Sequence, residues 1–471
     1  MTVDLQFSIA AQYRNTRVLW QIALALAWLL FPVSPLAGQQ DPGGVAGSPG
    51  TDEPAASATE DYSGPAVLSQ GNQPAVGGGG QYDTIQPFVN LNRIYGNGLT
   101  GGLTNAPNAI QSGVEVGFGL RGTHRWRRVT FQLEYNGSYR DYTGQASDNG
   151  LNQLVTATAV SHLKRHLVLS FRQTAGIVRQ GIGGLLELPS LDSSSTLPTD
   201  EPFSNGLKFF DSRATLTYQK TRRLSFSGSI DGSFLRESTP DVGTNSGIVS
   251  ADVDYRLSSR ATIGLDYSFS HFGYTTFESA NVNGASLEYA WRATKSVDVT
   301  AQVGMTHSSV VGLAFVPIDP EISAILGTAT GIQISYRTIN APQMNFRVTK
   351  RWHRASADVG YRKGMSPGNG LVLASTEESM TAGLHYSSGD RWTLSVQGGR
   401  TMMDGIAAAG SYTGNMFGAS FIRLIRPGLQ AVARLDVQPV NYVGSQGLNR
   451  TFYRGEVGFI FSGRQMPIAL R

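Results

Sequence analysis

Apolar and polar residues alternate along residues 213–234, whose sequence is RATLTYQKTRRLSFSGSIDGSF. Leu216 and Tyr218 belong to the first apolar series, and Phe226 and Ile230 belong to the second. A period of two places successive side chains on opposite faces of a β-strand. Because only a short KTRR segment joins the two series, the pattern predicts a tight antiparallel hairpin with one apolar face.

The same pattern recurs from about residue 83 to the C-terminus, and the second face of each predicted strand is small, hydroxylated or charged. Repeated strands of about 10 residues with this dyad pattern are typical of a transmembrane β-barrel, which is apolar toward lipid and polar toward its lumen. We therefore predict an all-β protein with a single transmembrane antiparallel up-and-down β-barrel of about 18 strands, within a range of about 16 to 20.

The predicted connections alternate in length. Eight are short and mostly basic, and nine are longer and rich in Gly, Asn, Ser and Asp. Outer-membrane barrels have short turns on the periplasmic side and long loops on the extracellular side. An even number of strands returns the chain to the side from which it started. We therefore expect a bacterial outer-membrane protein with both termini in the periplasm.

Aromatic residues such as Phe272, Tyr274, Trp352 and Trp392 lie toward the ends of predicted strands. Amphipathic rings favour the two interfaces between membrane and water, so we expect these side chains to contact the membrane surface. The alternative is cross-strand packing in a soluble β-protein. A soluble sandwich of this size would need strands that are apolar on both faces, and the sequence lacks such strands.

The region before the barrel lacks the alternating pattern. Residues 18–33, VLWQIALALAWLLFPV, follow Arg14 and Arg17, which is typical of a signal peptide and short for a transmembrane helix. A retained anchor and a start codon placed too early are alternatives. The next segment is rich in Gly, Pro, Ser and Ala, which predicts disorder. The predicted organisation is a signal peptide at residues 1–37, a disordered periplasmic linker at 38–81, the outer-membrane barrel at 82–463 and a short C-terminal tail at 464–471.

The composition limits the chemistry of the chain. It contains no Cys, which excludes disulfide bonds, thiolate metal sites and thiol catalysis. The net charge of +4 is small, and the basic residues collect in the short turns, so the charge is weak evidence for nucleic-acid binding. A mean hydropathy of -0.15 agrees with a barrel, because polar lumen residues offset the lipid-facing ones.

The hairpin segments HLVLSFRQ, RLSFSGSIDGSF, RATIGLDYSFS, SVDVTAQVGM and RWTLSVQGGR, with the closing strand FYRGEVGFIF, carry a resemblance to known proteins. Nearly everything after Gln81 resembles the porin-like outer-membrane β-barrel proteins of Gram-negative bacteria. The resemblance implies a pore or a polymer-export barrel that is inserted by the barrel-assembly machinery. Members typically end on the aromatic residue of the last strand, whereas here SGRQMPIALR follows Phe461.

Histidine residues are the first candidates for metal binding or catalysis. His162 and His166 flank one short turn, but cations beside a turn at a membrane surface are commoner than metal sites. Ser270 and His271 are the candidates for a lipase-like pair, but consecutive strand residues point to opposite faces. We therefore expect no enzyme activity, no metal and no cofactor.

Charged residues at the polar positions of the strands are expected to line the pore. Both signs are interspersed, which suits passive diffusion of small hydrophilic solutes better than selection of one ion sign. The alternative is that these residues pair with one another and stabilise the wall. The predicted pore-lining residues are Glu115, Arg121, Glu134, Arg140, Arg172, Arg213, Asp231, Asp252, Asp254, Asp266, Glu288, Asp298, Arg347, Asp358, Arg362, Arg434, Asp436, Arg454 and Glu456.

The longest predicted connection, residues 308–339, contains the apolar run VVGLAFVPIDPEISAIL. Exposing so many apolar groups to water is unfavourable, so we expect them to be buried. One hypothesis places this segment against the inner wall as a constriction loop that presents Asp319 and Glu321 to the pore. The alternative is an outward hairpin built on the alternating residues 328–337.

Together, these features predict a porin-like outer-membrane channel for passive diffusion of small hydrophilic solutes through a lumen of mixed charge. Two alternatives are retained: the barrel of a secretion or exopolysaccharide-export system, and a surface structural or adhesive barrel. The expected partners are outer-membrane lipid and the barrel-assembly machinery, and no nucleic acid. A homo-oligomer and a periplasmic partner bound through residues 38–81 are left open.

Overall fold

The computed structural model describes most of the chain after residue 83. The described residues are 84–97, 111–142, 150–178, 207–237, 243–275, 278–327, 330–368, 373–388, 391–406, 410–443, 448–463 and 466–467. The predicted signal peptide and the predicted linker lie outside the described residues, as does most of the predicted C-terminal tail.

The described residues form long strands and one short helix. β-branched and aromatic residues at alternate positions favour strands, and Gly, Asn, Asp and Ser favour the connections. Helix α1 covers Pro320–Leu326, and within the described part of the chain no helix is long and apolar enough to cross a membrane. The strands are β1 (Thr84–Asn97), β2 (Gln111–Arg125), β3 (Val129–Tyr142), β4 (Gly150–Lys164), β5 (Leu167–Val178), β6 (Leu207–Gln219), β7 (Leu224–Glu237), β8 (Gly243–Arg256), β9 (Ala261–Tyr274), β10 (Ser279–Thr294), β11 (Val297–Pro317), β12 (Thr330–Arg351), β13 (Ala355–Gly368), β14 (Leu373–Ser387), β15 (Trp392–Gly405), β16 (Ser411–Arg426), β17 (Leu429–Val443), β18 (Leu448–Ser462) and β19 (Met466–Pro467).

The strands from β1 to β18 close into a barrel. Each strand pairs antiparallel with the next one in the chain. β1 also pairs antiparallel with β18, from Phe88 opposite Ser462 to Asn97 opposite Tyr453. This pairing confirms the predicted fold class and the predicted number of 18 barrel strands.

The barrel is apolar outside and polar inside. On β6 and β7, the large apolar side chains of Leu216 and Ile230 are 44% and 58% exposed. Thr217 and Asp231, one residue further along each strand, are buried on the other face. The predicted register of this hairpin is therefore confirmed. Exposed apolar side chains around a closed sheet form the lipid-facing surface of a transmembrane β-barrel.

The two ends of the barrel differ in their connections. One end, which we call the short-turn rim, has turns such as the one between β16 and β17, where Gly428 adopts a φ of 83°. Glycine adopts this left-handed conformation without the steric cost that a Cβ atom would bring. The other end, the long-loop rim, has the remaining connections and helix α1. β1 begins and β18 ends at the short-turn rim, where Phe88 pairs with Ser462.

β11 and β12 are longer than predicted and form a hairpin that extends beyond its neighbours. β11 pairs with β12 along its whole length, up to Pro317 opposite Thr330. The pairing of β11 with β10 ends at Val311, and the pairing of β12 with β13 reaches only to Met344. The predicted connection over residues 308–339 is therefore too long, because the pairing of β11 with β12 continues through most of it.

The chain after β18 folds back onto the start of β1. The backbone N–H of Gly463 donates a hydrogen bond to the carbonyl oxygen of Pro87 at 2.7 Å. Strand β19 then pairs antiparallel with the first two residues of β1. Gly463 and strand β19 therefore extend the sheet at the short-turn rim.

Candidate functional site in the barrel lumen

The predicted pore-lining residues all lie in barrel strands on the face opposite the exposed apolar side chains. On β6, for example, Arg213 shares its face with the buried Thr215 and Thr217. Several of the predicted residues are nearly fully buried, including Glu115 and Asp254. The inward face is therefore a packed polar surface, and the lining of an open path by these residues stays a prediction.

Many inward-facing charges form ion pairs on the same strand or on adjacent strands. Arg140 on β3 pairs with Glu115 on β2, and both side chains are buried. These pairs favour the alternative that a large part of the charge stabilises the wall. Further pairs among the described residues include Arg121–Glu134 at 3.0 Å, Arg213–Asp231 at 3.2 Å, Arg292–Asp298 at 3.0 Å, Arg351–Asp298, Arg347–Asp358 at 3.9 Å, Arg434–Asp436 at 2.8 Å and Arg454–Glu456 at 2.9 Å.

A buried charged group on β5, β6 and β7 includes Asp211, which the sequence analysis did not select. Arg172 lies opposite Arg213, and Arg213 in turn lies opposite Asp231. Asp211 is two residues before Arg213 and is also buried on the inward face. Two arginines beside two carboxylates offset the unfavourable burial of each charge. The alternation of the sequence could have identified Asp211, because residues two positions apart in a strand lie on the same face, and Arg213 is a predicted pore-lining residue.

Three inward-facing carboxylates on adjacent strands form a group that we call the acidic sector: Asp252 on β8, Asp266 on β9 and Glu288 on β10. Asp252 lies directly opposite Asp266. Ser227 donates a hydrogen bond to Asp252 at 2.6 Å, and Ser286 donates one to Asp266 at 3.2 Å. Neighbouring carboxylates lined by low-dielectric walls produce a negative potential that attracts cations.

The candidate catalytic pair is not brought together. Ser270 is buried on the inward face of β9, whereas His271 is exposed on the outer face and hydrogen bonds to Asn281 at 2.7 Å. His162 and His166 are exposed beside the turn between β4 and β5. Among the residues that the structure describes, no group of three or more His, Asp or Glu side chains is placed to hold a metal ion.

The start of β14 and the end of β15, at the long-loop rim, contact an inward-facing side chain of β9 inside the lumen. The backbone N–H of Ala374, at the start of β14, donates a hydrogen bond to the hydroxyl oxygen of Tyr274, at the end of β9, with an N···O distance of 3.1 Å. The backbone N–H of Ile406, just after β15, donates to the carbonyl oxygen of Ala374 at 3.0 Å. Tyr274 points inward and β14 is the fifth strand after β9, so this contact crosses the interior. We call these three residues the inward bridge.

An apolar cluster supports the inward bridge. Phe272, Val282 and Val310 extend inward from β9, β10 and β11, and they pack against Ala374 and Ile406. All five side chains are buried. Burial of this apolar surface stabilises the inward position of Ala374 and Ile406. The lumen is therefore narrowed at the long-loop rim.

Two aromatic residues of this cluster differ from the sequence prediction. Phe272 and Tyr274 lie near a strand end, as expected, but they are buried on the inward face instead of contacting the membrane surface. Trp352, in contrast, is 48% exposed beside the short-turn rim. The prediction for Phe272 and Tyr274 is wrong because proximity to a strand end does not determine the face.

Contacts from β11 and β12 complete the narrowing. The guanidinium group of Arg337 donates a hydrogen bond to the carbonyl oxygen of Ile406 at 2.7 Å. The hydroxyl group of Ser308 lies 3.9 Å from the sulfur atom of Met365. The sequence did not predict these two contacts. The partners are 69 and 57 positions apart in the chain, and the alternation within a strand does not indicate contacts between distant strands.

The predicted constriction residues lie at the tip of the β11–β12 hairpin. Asp319 is the N-cap of helix α1, and its carboxylate accepts a hydrogen bond from the backbone N–H of Glu321 at 3.0 Å. The expectation that the apolar run is buried is confirmed for Val310 but wrong for Ile322 and Ile325, which are 50% and 84% exposed. β12 includes residues 330–337, which agrees with the hairpin alternative.

No protein-family model matches the chain, and no curated protein matches it. Among solved structures, the chain is similar to Acinetobacter baumannii OccAB3, with 10% sequence identity and a TM-score of 0.41 over 81% of this chain and 99% of that chain. It is also similar to Pseudomonas aeruginosa OpdQ, with 12% identity and a TM-score of 0.41 over 82% and 98%. A third similar structure is Pseudomonas aeruginosa OccK2 (OpdF), with 11% identity and a TM-score of 0.43 over 82% of this chain and 98% of that chain. The fold assignment therefore rests on the strand pairing and on the alternation of outward apolar and inward polar side chains.

Proposed function

We propose that the chain is a porin-like channel of the bacterial outer membrane that allows passive diffusion of small hydrophilic solutes. The observation that carries this proposal is the reversed polarity of the closed barrel, in which Ile230 is exposed outside and the adjacent Asp231 is buried inside. Side chains of the wall cannot fill the interior of a barrel of this size. A polar interior that is too wide to fill provides a path for water and small polar solutes.

The inward bridge is proposed to set the size limit of this path. Ala374 connects Tyr274 and Ile406, because its N–H donates a hydrogen bond to the Tyr274 hydroxyl group and its carbonyl oxygen accepts one from the backbone N–H of Ile406. The long-loop rim is proposed to face the outside of the cell, as it does in outer-membrane barrels. Solutes would then meet the narrowest part of the channel before they meet the charged wall below it.

Solute uptake into proteoliposomes tests the proposed function. Vesicles that contain the refolded protein are placed in isotonic solutions of neutral sugars of increasing size, and swelling is followed by light scattering. We expect fast swelling with small sugars and a sharp decrease as the sugar size exceeds the narrowed part of the lumen. Vesicles that contain folded protein but swell no faster than protein-free vesicles would contradict the proposal.

A surface-binding function is a second candidate, and the β11–β12 hairpin is the observation that favours it. The hairpin extends beyond the neighbouring strands, and it exposes the apolar side chains of Ile325 and Tyr336 to 84% and 77%. Removing residues 312–336 and closing the hairpin with a short turn should leave solute uptake intact. Loss of adhesion to surfaces or to other cells in this variant would support the second candidate.

A further inference from the structure

A row of aromatic rings bordered by basic side chains covers the outer surface of β12 to β16 near the short-turn rim. Trp352 directly follows β12, Trp392 begins β15, and the two outer ends of the row carry one cation each. We call this group the rim patch. It consists of Lys350, Trp352, Tyr386, Trp392, Phe421 and Arg423.

The rings of the rim patch pack closely. The ring centroids of Tyr386 and Trp392 are 5.0 Å apart, and those of Trp392 and Phe421 are 6.0 Å apart. Arg423 lies directly opposite Trp392 across β15 and β16. At the other end, the ammonium group of Lys350 lies 5.0 Å from the centroid of the Trp352 ring. Arg423 therefore borders the three packed rings of Tyr386, Trp392 and Phe421, and Lys350 lies against Trp352 on the other side of β13.

The rim patch faces away from the lumen. Arg351, the residue after Lys350, reaches inward to Asp298, so Lys350 points to the outer face of β12. Trp352 is 48% exposed, and Arg423 shares its exposed face with Phe421. The patch is thus continuous with the apolar lipid-facing surface of the barrel.

A cation on the lipid-facing surface is unfavourable unless an anion is near it. Within the described residues, no carboxylate forms an ion pair with Lys350 or Arg423. The long stems of Lys and Arg let the charged ends reach the headgroup region, where Trp and Tyr rings are also favoured. Phosphate groups of lipids are the anions at this depth.

We propose that the rim patch is a binding site for anionic phospholipids, with phosphate groups at Lys350 and Arg423 and acyl chains against the aromatic row. A membrane-embedded surface with two cations and three packed rings fits a phosphodiester headgroup joined to hydrocarbon chains. The site goes beyond the proposed channel function, because it depends only on the outer surface of the barrel and not on the solute.

Quenching of tryptophan fluorescence by brominated lipids tests this site. The full barrel is placed in phosphatidylcholine vesicles that contain a minor share of either brominated phosphatidylglycerol or brominated phosphatidylcholine. We expect the wild type to be quenched more strongly by the brominated phosphatidylglycerol, and Trp392→Phe to lose much of this difference. Lys350→Gln and Arg423→Gln should each lower the relative association constant for the anionic lipid by about fivefold.

Arg347→Gln is the matched control, because Arg347 is on the same strand as Lys350 but on the inward face. This variant should keep the lipid preference of the wild type. Equal quenching of the wild type by both brominated lipids would overturn the proposal, as would an equal loss in the control. A dimer cross-linked through the rim patch without any lipid preference would assign the patch to a second copy of the chain. Migration of boiled and unboiled samples on denaturing gels verifies that each variant is folded.

Discussion

The hydroxyl group of Tyr274 accepts a hydrogen bond from the backbone N–H of Ala374, which lies 100 positions later in the chain. Tyr274 ends β9 and Ala374 is near the start of β14, so this bond joins two parts of the barrel wall that are five strands apart through the interior. Ala374 has a φ of 42°, which is unfavourable for a residue with a Cβ atom. The surrounding contacts therefore hold Ala374 in an inward position that it would not adopt alone.

Tyr274→Phe removes this hydrogen bond and keeps the ring. The loss of one hydrogen bond weakens the inward bridge by about 0.5 to 1.5 kcal/mol. The start of β14 and the end of β15 should therefore spend more time away from the lumen. Single-channel recording should show a higher mean conductance and more open-channel noise than in the wild type. Tyr267→Phe is the control, because it removes a hydroxyl group of the same strand that bonds to Asn283 on the outer face. Equal effects of the two substitutions would show that the inward bridge does not limit conductance.

The acidic sector should favour the passage of cations. Asp266→Asn combined with Glu288→Gln removes two of the three carboxyl groups of the acidic sector from the inward face of β9 and β10. The permeability ratio of potassium to chloride, measured from the reversal potential in a salt gradient, should decrease by about two- to fivefold, which corresponds to a charge interaction of up to ~1 kcal/mol in water. Asp358→Asn is a control, because that carboxylate lies 3.9 Å from Arg347. An unchanged ratio in the double variant would contradict this role.

The buried pair of Arg140 and Glu115 should contribute strongly to stability. Glu115→Gln takes the carboxylate away from an arginine that is 4% exposed, and breaking such a buried pair costs about 3 to 5 kcal/mol. The free energy of unfolding, measured by urea titration in lipid vesicles, should decrease by this amount. Asp358→Asn breaks an exposed pair and should cost about 0 to 1 kcal/mol. Similar losses in both variants would refute the distinction between the two pairs.

A charge on the outer face of the barrel should be far less tolerated than one on the inner face. Ile230→Arg places a cation in the middle of β7 toward lipid, where the penalty is roughly 2 to 4 kcal/mol. Ser229→Arg, one residue earlier, points inward and should fold with a smaller loss. Folding yield into vesicles and the free energy of unfolding measure both effects. A larger loss for Ser229→Arg would mean that the two faces of β7 are assigned incorrectly.

Most of the barrel could be predicted from the sequence, because strand pattern and turn length are local properties. Apolar residues at every second position identified the hairpin of β6 and β7, including the outward Leu216 and the inward Asp231. The short basic segments indicated where two consecutive strands are joined at the short-turn rim. The limits of β5, Leu167–Val178, agree with the alternation of the sequence over the same residues.

The contacts inside the long-loop rim could not be predicted in the same way. The extension of β11 to Pro317 depends on pairing with β12, and the apolar run there looked like a segment that had to be buried. The inward bridge depends on backbone groups of Ala374 and Ile406. Every residue has such groups, so the residue types at these positions do not indicate the distant partners. Its position is decided by packing against Phe272 and Val310, which is a tertiary effect.

Single-channel recording in planar lipid bilayers tests the proposed channel most directly. Folded wild-type protein, identified by different migration of boiled and unboiled samples, is added to one side of a bilayer in concentrated potassium chloride. A water-filled lumen narrowed by the inward bridge predicts discrete conductance steps that persist without any added partner. Insertion of folded protein into the bilayer without conductance steps would contradict the proposal that this barrel is a channel.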